Sequence, residues 1–372
     1  MLSHSSGVSG AASSVSSPGG GGRDQFAADE LAIVLSHYDL GAIESIQPFP
    51  RGSRRAPKLV IRTHGGAAYL LKRRARGKDE PFRVAFSHEL QLYLASKQFP
   101  LPHLIGTRDE NNSMLQWNGH TYELFEFIRG SSFDGSPEAA RDAGRVLALF
   151  HKLLADYRAR YDPPVGSYHA ARNIPALMDA IPQTLSKLDP RNAREQADQI
   201  QQTVRFLQGS YSAAAARVDE TGLTDWPTQI IHCDWHPGNM LFRGPKVVAV
   251  IDYDAARVQQ RVIDVANGAL QFSIIGGGED PADWPDHLDE GHFRAFLAGY
   301  ESVPHCVLAR AELRTIPWLM IEALTAESVI PIAATGSFAR MEGVGFLMMV
   351  ERKIRWLQEH AESLSRSVEA TG

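Results

Sequence analysis

The sequence predicts an α+β protein of two lobes, a small antiparallel sheet with one helix followed by a mostly helical part. Three observations predict it. Short β-branched and apolar runs divided by glycine turns fill the chain before residue 128. Apolar residues at helical spacing dominate after Gly130. The 372 residues also exceed the ~100–200 of one ordinary domain.

The elements follow in order. Residues 1–22 are almost entirely Ser, Gly, Ala and Val and end in Pro18 and four glycines. A disordered leader is expected over 1–25, because such a segment buries too little apolar area to offset its ordering entropy. Phe26, Leu31, Val34, Leu35 and Tyr38 keep a helical period that Gly41 stops. Strands are expected over 43–49, 58–63 and 67–73, set apart by Arg51-Gly52-Ser53 and by His64-Gly65-Gly66. A helix carrying Phe86, Leu90, Tyr93 and Leu94 ends before Pro100. Strands over 113–117 and 121–128 turn at Asn118-Gly119 and complete a lobe of residues 26–127. The helical lobe, 128–372, opens at Ser136-Pro137-Glu138, a capping residue followed by proline in the first turn. Residues 172–220 read as polar helix. Two short β segments, 229–233 and 247–252, flank a polar loop, and helix dominates from Val262 to His360.

Composition excludes several classes. Lys and Arg number 38 against 43 Asp and Glu, a net charge of −5, and only Cys233 and Cys306 are present. Neither a disulfide framework nor a four-cysteine zinc site can be built from two cysteines. No apolar run approaches the ~18–20 residues of a membrane span, and the start lacks the pattern of a signal peptide. The cytoplasm is the expected compartment, without membrane or nucleic-acid partners.

The densest chemical signal is Ile230-Ile231-His232-Cys233-Asp234-Trp235-His236-Pro237-Gly238-Asn239, followed by Val250-Ile251-Asp252-Tyr253-Asp254. An apolar strand ends at a loop bearing Asp234 and Asn239, and a second strand delivers Asp252. Phosphoryl transfer needs this set: a carboxylate for the acceptor's proton and hard oxygen ligands for Mg²⁺ against the phosphates. Oxygen donors without a thiolate–imidazole set argue for magnesium over zinc.

His-x-Asp-x-x-x-x-Asn followed by a further Asp is the catalytic segment of the protein-kinase-like fold. Its wording here, with Ile251-Asp252-Tyr253-Asp254 in place of Asp-Phe-Gly, resembles the aminoglycoside phosphotransferase and choline kinase-like superfamily over about residues 26–360. That resemblance implies a bilobal fold and ATP- and Mg²⁺-dependent phosphorylation of a small molecule's hydroxyl group. It makes Asp234 the catalytic base and Asn239 and Asp252 the metal ligands, with His232 and Asp264 steadying the loop. Lys72 would hold the nucleotide phosphates and Glu89 would hold Lys72. Residues 123–128 would form the hinge at adenine, with Glu126 and Ile128 offering backbone groups and Phe125 guarding the back.

Alternatives stand beside these roles. Lys72 adjoins Arg73 and Arg74, the pattern of a solvated basic edge, and Glu80 is the alternative to Glu89. His236 is expected either to touch the transferring phosphoryl group or to be a hydrogen-bonded loop histidine. Asp254 is either structural or a further metal contact, and His151 and Cys233 read as packed. No P-loop is present, and the protein-kinase glycine-rich loop is reduced to Arg51-Gly52-Ser53, where Ser53 and nearby amides would meet phosphate. Residues 51–78 hold ten Arg or Lys and no acid, so the rest of the chain carries −15. This suits nucleotide phosphates. The six acids over 279–290 are either a solvated loop or a receptor for a cationic acceptor. Two other functions remain open, a Ser/Thr protein kinase of the stress-response type and a non-catalytic nucleotide-binding module. The short interval from Asp252 to Asp264 leaves little room for the activation segment of the first.

Overall fold

The computed structural model describes residues 23–276, 278 and 280–369, the last three without their side chains. The expected leader lies outside the described residues over 1–22. Its last three residues do not fit that expectation, because Arg23 is bound. Its guanidinium donates to the carbonyl oxygens of Pro50, Ser53 and Gly52 at 2.6, 3.0 and 3.2 Å.

α1 (Ala28–Ser36) is shorter than its apolar period because Ala27 is extended, with its amide bonded to Glu30 at 3.0 Å. β1 (Ile43–Pro48), β2 (Lys58–Thr63) and β3 (Ala68–Arg73) follow, then α2 (Pro81–Ser96), β4 (Leu115–Trp117) and β5 (His120–Glu126). The five strands form one antiparallel sheet in the order β1-β2-β3-β5-β4. Glu80, the alternative partner for Lys72, is spent as the cap of α2, accepting from the amides of Phe82 and Arg83 at 3.1 and 2.8 Å.

The sheet has its own small core, in which Ile61, Leu71, Tyr122 and Leu124 pack against Val34 and Tyr38. α2 points its apolar stripe elsewhere. Phe86, Leu90 and Leu94 join Phe99 and Leu101 in the large core of the helical part.

That part begins with α3 (Pro137–Leu154), whose cap Ser136 accepts from the Ala139 amide at 3.2 Å as its sequence predicts. α4 (Asn173–Leu188), α5 (Pro190–Glu195) and α6 (Ala197–Asp219) occupy the stretch read as polar helix. β6 (Thr228–Ile231), β7 (Met240–Arg243), β8 (Lys246–Val250) and β9 (Arg257–Gln260) make two antiparallel pairs, β6 with β9 and β7 with β8. The sequence shows neither β7 nor β9, since four residues are too few to display alternation. α7 (Arg261–Ser273), α8 (Glu290–Glu301), α9 (Arg310–Thr335), β10 (Ser337–Phe338), β11 (Met341–Glu342) and α10 (Gly343–Glu369) complete the chain. Among the described residues α9 is long and apolar enough to cross a membrane, contrary to the reading of the sequence. Its apolar window is 72% buried inside the protein, as a central core helix requires.

α3 and α8 cross at two glycines. A Cβ on Gly299 would run into the carbonyl oxygen of Arg141, and one on Gly144 into that of Phe296. We expect Gly299→Ala to destabilise the fold by about 1–3 kcal/mol from overpacking, outweighing the ~1 kcal/mol of helix propensity gained. The urea midpoint would report it, and an unchanged or raised midpoint would contradict this crossing.

Candidate active site

The loop after β6 is held by one carboxylate. Asp264, fully buried on α7, accepts from the backbone amides of His232 and Cys233 at 2.7 and 2.8 Å. His151 reaches the same carboxylate at 3.2 Å and the Tyr300 hydroxyl at 2.9 Å, so it is hydrogen-bonded as well as packed. His232 braces the loop by packing. Its ring lies edge-on to Trp235 and Tyr253, at centroid distances of 5.3 and 5.2 Å, and neither ring nitrogen has a hydrogen-bond partner. Burial lowers its pKa and keeps it neutral. Burial also pushes the Cys233 thiol up, which suits packing and not nucleophilic chemistry. Expected strand ended early here, at Ile231, because Cys233 takes a φ of +62°.

Asp234 projects from this turn. One carboxylate oxygen accepts from the Asn239 side-chain amide at 2.7 Å, and the other lies 3.5 Å from His236 Nε2. The Gly238 amide donates to His236 Nδ1 at 3.0 Å, which leaves the ring proton on Nε2, facing Asp234. A Cβ on Gly238 would lie 2.7 Å from the imidazole, so this tight turn needs glycine. Burial raises the Asp234 pKa, but the hydrogen bonds from His236 and Asn239 help to outweigh it and hold the carboxyl below its usual range. For His236 burial lowers and Asp234 raises, and Asp234 prevails.

Asn239 and Asp252 are brought together by the backbone, the Ile251 amide donating to the Asn239 carbonyl at 2.9 Å. Asp252 lies beyond the end of β8, in a left-handed conformation of φ +67°, and not on the strand as read from sequence. Asp254 pairs with Arg74 through both oxygens, at 2.8 and 3.0 Å, a structural role.

Across the cleft stands Glu123, fully buried on β5. It faces Lys72 at 3.2 Å, Arg74 at 2.7 Å and His88 at 2.7 Å. Burial raises its pKa, yet these groups, Lys72 foremost, hold it well below the carboxylate range. Glu89 does not hold Lys72. It turns to the other side of α2 and accepts from the Arg160 amide and guanidinium at 3.0 and 3.2 Å. The cause is register: Lys72 lies directly opposite Glu123 on the neighbouring strand, and the α2 residue facing that pair is His88. Lys72 is therefore no solvated edge.

A cavity of about 400 Å³ lies between these walls, lined by Leu70, Lys72, Phe125, Ile128, Ile251 and Asp252 among others. That is room for a small ligand. In the segment read as a hinge, the amides of Glu126 and Phe127 are already bonded to the carbonyls of His103 and Ala68, while that of Ile128 has no backbone partner among the described residues. Glu126 lines the cavity. Ser53 does not, and its exposed hydroxyl instead accepts from the Arg55 amide at 3.2 Å. A larger cavity, about 880 Å³, lies behind α2 against Glu89, Tyr157 and Arg160 and holds none of the loop residues.

Glu327 escaped the sequence reading. It sits on α9, where the Gln271 side-chain amide donates to it. Burial, and then the charge of Asp234, push its pKa up to about 7. Two glutamates in the apolar run of α9, Glu322 and Glu327, were the available signal. Four of the acids over 279–290 are engaged: Asp280 and Asp289 accept from the amides of Ala282 and His292, while Asp286 and Glu290 pair with Arg352 and Arg294. Glu279 lies outside the described residues.

As to donors for a cation, no group of three His, Cys, Asp or Glu side chains that could hold a metal occurs among the described residues. Asn239 and Asp252 supply hard oxygens, which fits magnesium, an ion that keeps waters and phosphates as its other ligands.

Residues 45–309 match the phosphotransferase enzyme family. The chain is 26% identical over 296 residues to a homoserine kinase from Sinorhizobium medicae, covering 78% of this chain and 79% of that one. An aminoglycoside phosphotransferase from Alicyclobacillus acidocaldarius superposes with a TM-score of 0.66 at 18% identity, covering 94% of this chain and 99% of that one. A microcompartment-associated aminopropanol kinase does so with 0.65 at 15%, covering 90% and 98%. The two structures share the fold expected from the sequence.

Glu123→Ala strips a buried charge network of its anion and should cost about 3–5 kcal/mol. Glu89→Ala removes a pair whose arginine is 86% exposed and should cost less than about 1 kcal/mol. Urea unfolding of both variants reads the difference, and equal losses would contradict the assignment of Lys72 to Glu123.

Proposed function

The chain belongs to the phosphotransferase enzyme family, and from that premise we propose that it transfers the γ-phosphoryl group of ATP to the hydroxyl of a small amino alcohol, with Mg²⁺. One observation carries this reading: an ionised Asp234 is bonded to Asn239, whose backbone is bonded to the residue before Asp252, and Asp252 lines one cavity with Lys72.

Each residue has a role that follows from its surroundings. Asn239 and the imidazole of His236 orient the Asp234 carboxylate toward the acceptor hydroxyl. As the new O–P bond forms and the bond from the γ-phosphorus to the β,γ-bridging oxygen breaks to release ADP, the hydroxyl proton passes to Asp234, whose low pKa keeps it ionised and ready to accept. Lys72, held by Glu123, binds nucleotide phosphate, and Ile128 offers its free amide to adenine. Asn239 and Asp252 would hold magnesium, which when bound neutralises charge on the phosphates.

The amine follows from Glu327, a carboxylate near enough to the catalytic loop to feel the charges of Asp234 and His236, and hydrogen-bonded to the neutral Gln271. Homoserine, aminopropanol and aminoglycosides, named for the relatives, all carry amino groups. A protein acceptor is disfavoured, since between Asp252 and α7 the chain runs directly through β9.

ADP release with ATP, Mg²⁺ and a panel of homoserine, aminopropanol, ethanolamine, neutral sugars and a generic protein substrate tests the proposal. Asp234→Asn should retain ATP binding and lose about 10²–10⁴-fold in kcat. Undiminished turnover would remove Asp234 from the chemistry. The pH dependence has a defined sign. Above about 7 Glu327 is anionic and attracts an ammonium, and below it is neutral. KM for the amino acceptor should fall as pH rises through that value, and Glu327→Gln should flatten the profile. A KM equally pH-dependent in the variant would contradict the role of Glu327.

A further inference from the structure

The cleft contains a second lysine to which the roles above give nothing to do. Lys58 opens β2 and lies directly opposite Lys72 in the β2–β3 register, and both line the same cavity. Lys72 is matched by Glu123 at 3.2 Å. The ammonium group of Lys58 has no hydrogen bond or ion pair among the described residues. Lys58 is half-buried, on the wall of that cavity.

The position of its ammonium group is fixed by a glycine. A Cβ built on Gly52 would lie 2.8 Å from Lys58 Nζ, so the amine sits against the β1–β2 turn in the space a side chain would fill. Gly52 also has a φ of +83°, which favours glycine on its own account. The nearby carbonyls cannot serve Lys58 fully, because Arg23 already draws those of Pro50, Gly52 and Ser53. The carboxylates whose charge reaches it are Asp252 and Glu123, the second committed to Lys72, Arg74 and His88. Burial, then the charge of Lys72, lowers its pKa, as expected of an ammonium that lacks an anion.

We propose that Lys58 is a phosphate-binding residue, taking the terminal phosphates of the nucleotide from beneath the turn in place of a glycine-rich loop. Lys58 and Lys72 then grip the polyphosphate from adjacent strands, and Gly52 serves by leaving room for an ammonium instead of lending its own amide. The assignment rests on ATP as the donor.

Calorimetric titration of the full chain with ATP, AMP and adenosine, in magnesium, tests it with wild type, Lys58→Met and Lys58→Arg. Charge-assisted hydrogen bonds of this kind correspond to roughly ten- to hundred-fold in affinity. Lys58→Met should lose that factor for ATP and keep adenosine within about twofold, and Lys58→Arg should recover most of the loss. Unchanged ATP affinity in Lys58→Met would overturn the proposal, as would an equal loss for adenosine, which would make Lys58 a support of the cleft's shape. A wild-type protein that binds ATP no better than adenosine would fail differently, removing the nucleotide reading together with this one.

Discussion

A carboxylate buried without water must be matched by cations, and the site is arranged around one such demand. Glu123 on the central strand β5 gathers Lys72 from β3, Arg74 from just beyond it and His88 from α2. Taking a carboxylate out of water costs several kcal/mol, which only close and well-oriented partners offset. Arg74 then extends the network by holding Asp254, two residues past the proposed metal ligand Asp252. The sheet and the segment carrying Asp252 are thereby joined through charge at the cleft, while their apolar cores remain separate.

Asp264 does the corresponding work on the opposite wall. Its two oxygens take the amides of His232 and Cys233 and so fix where the chain leaves β6. The left-handed conformations of Cys233 and Asp252, uncommon for residues with a side chain, fall on either side of the site. Conformations of this kind cost about 1–3 kcal/mol and persist where surrounding bonds impose them. Between them Asn239 is bonded to Asp234 through its side chain and to the residue before Asp252 through its backbone.

Most of this site was legible wherever local pattern decides the outcome. Three expected strands appear nearly residue for residue, Ser136 caps α3, and Asp234, Asn239, Asp252 and Asp264 converge as their spacing suggests. The partner of Lys72 was not legible, because it depends on cross-strand register, which spacing along one chain does not reveal. Glu89 and His88 are neighbours in sequence, yet helical geometry sends them to opposite sides of α2. The hydroxyl of Ser53 accepts a bond within its own turn, which the sequence did not show either. Glu327 and Lys58 gain their meaning only from the groups that folding sets near them, Asp234 for one and Gly52 for the other.

The most direct measurement is a crystal structure with a non-hydrolysable ATP analogue, magnesium and homoserine. We expect the metal on Asn239 and Asp252, Lys72 still on Glu123 while touching phosphate, and the acceptor hydroxyl within about 2.6–3.2 Å of Asp234. A nucleotide bound outside the cleft, or an acceptor hydroxyl out of reach of Asp234, would contradict that expectation.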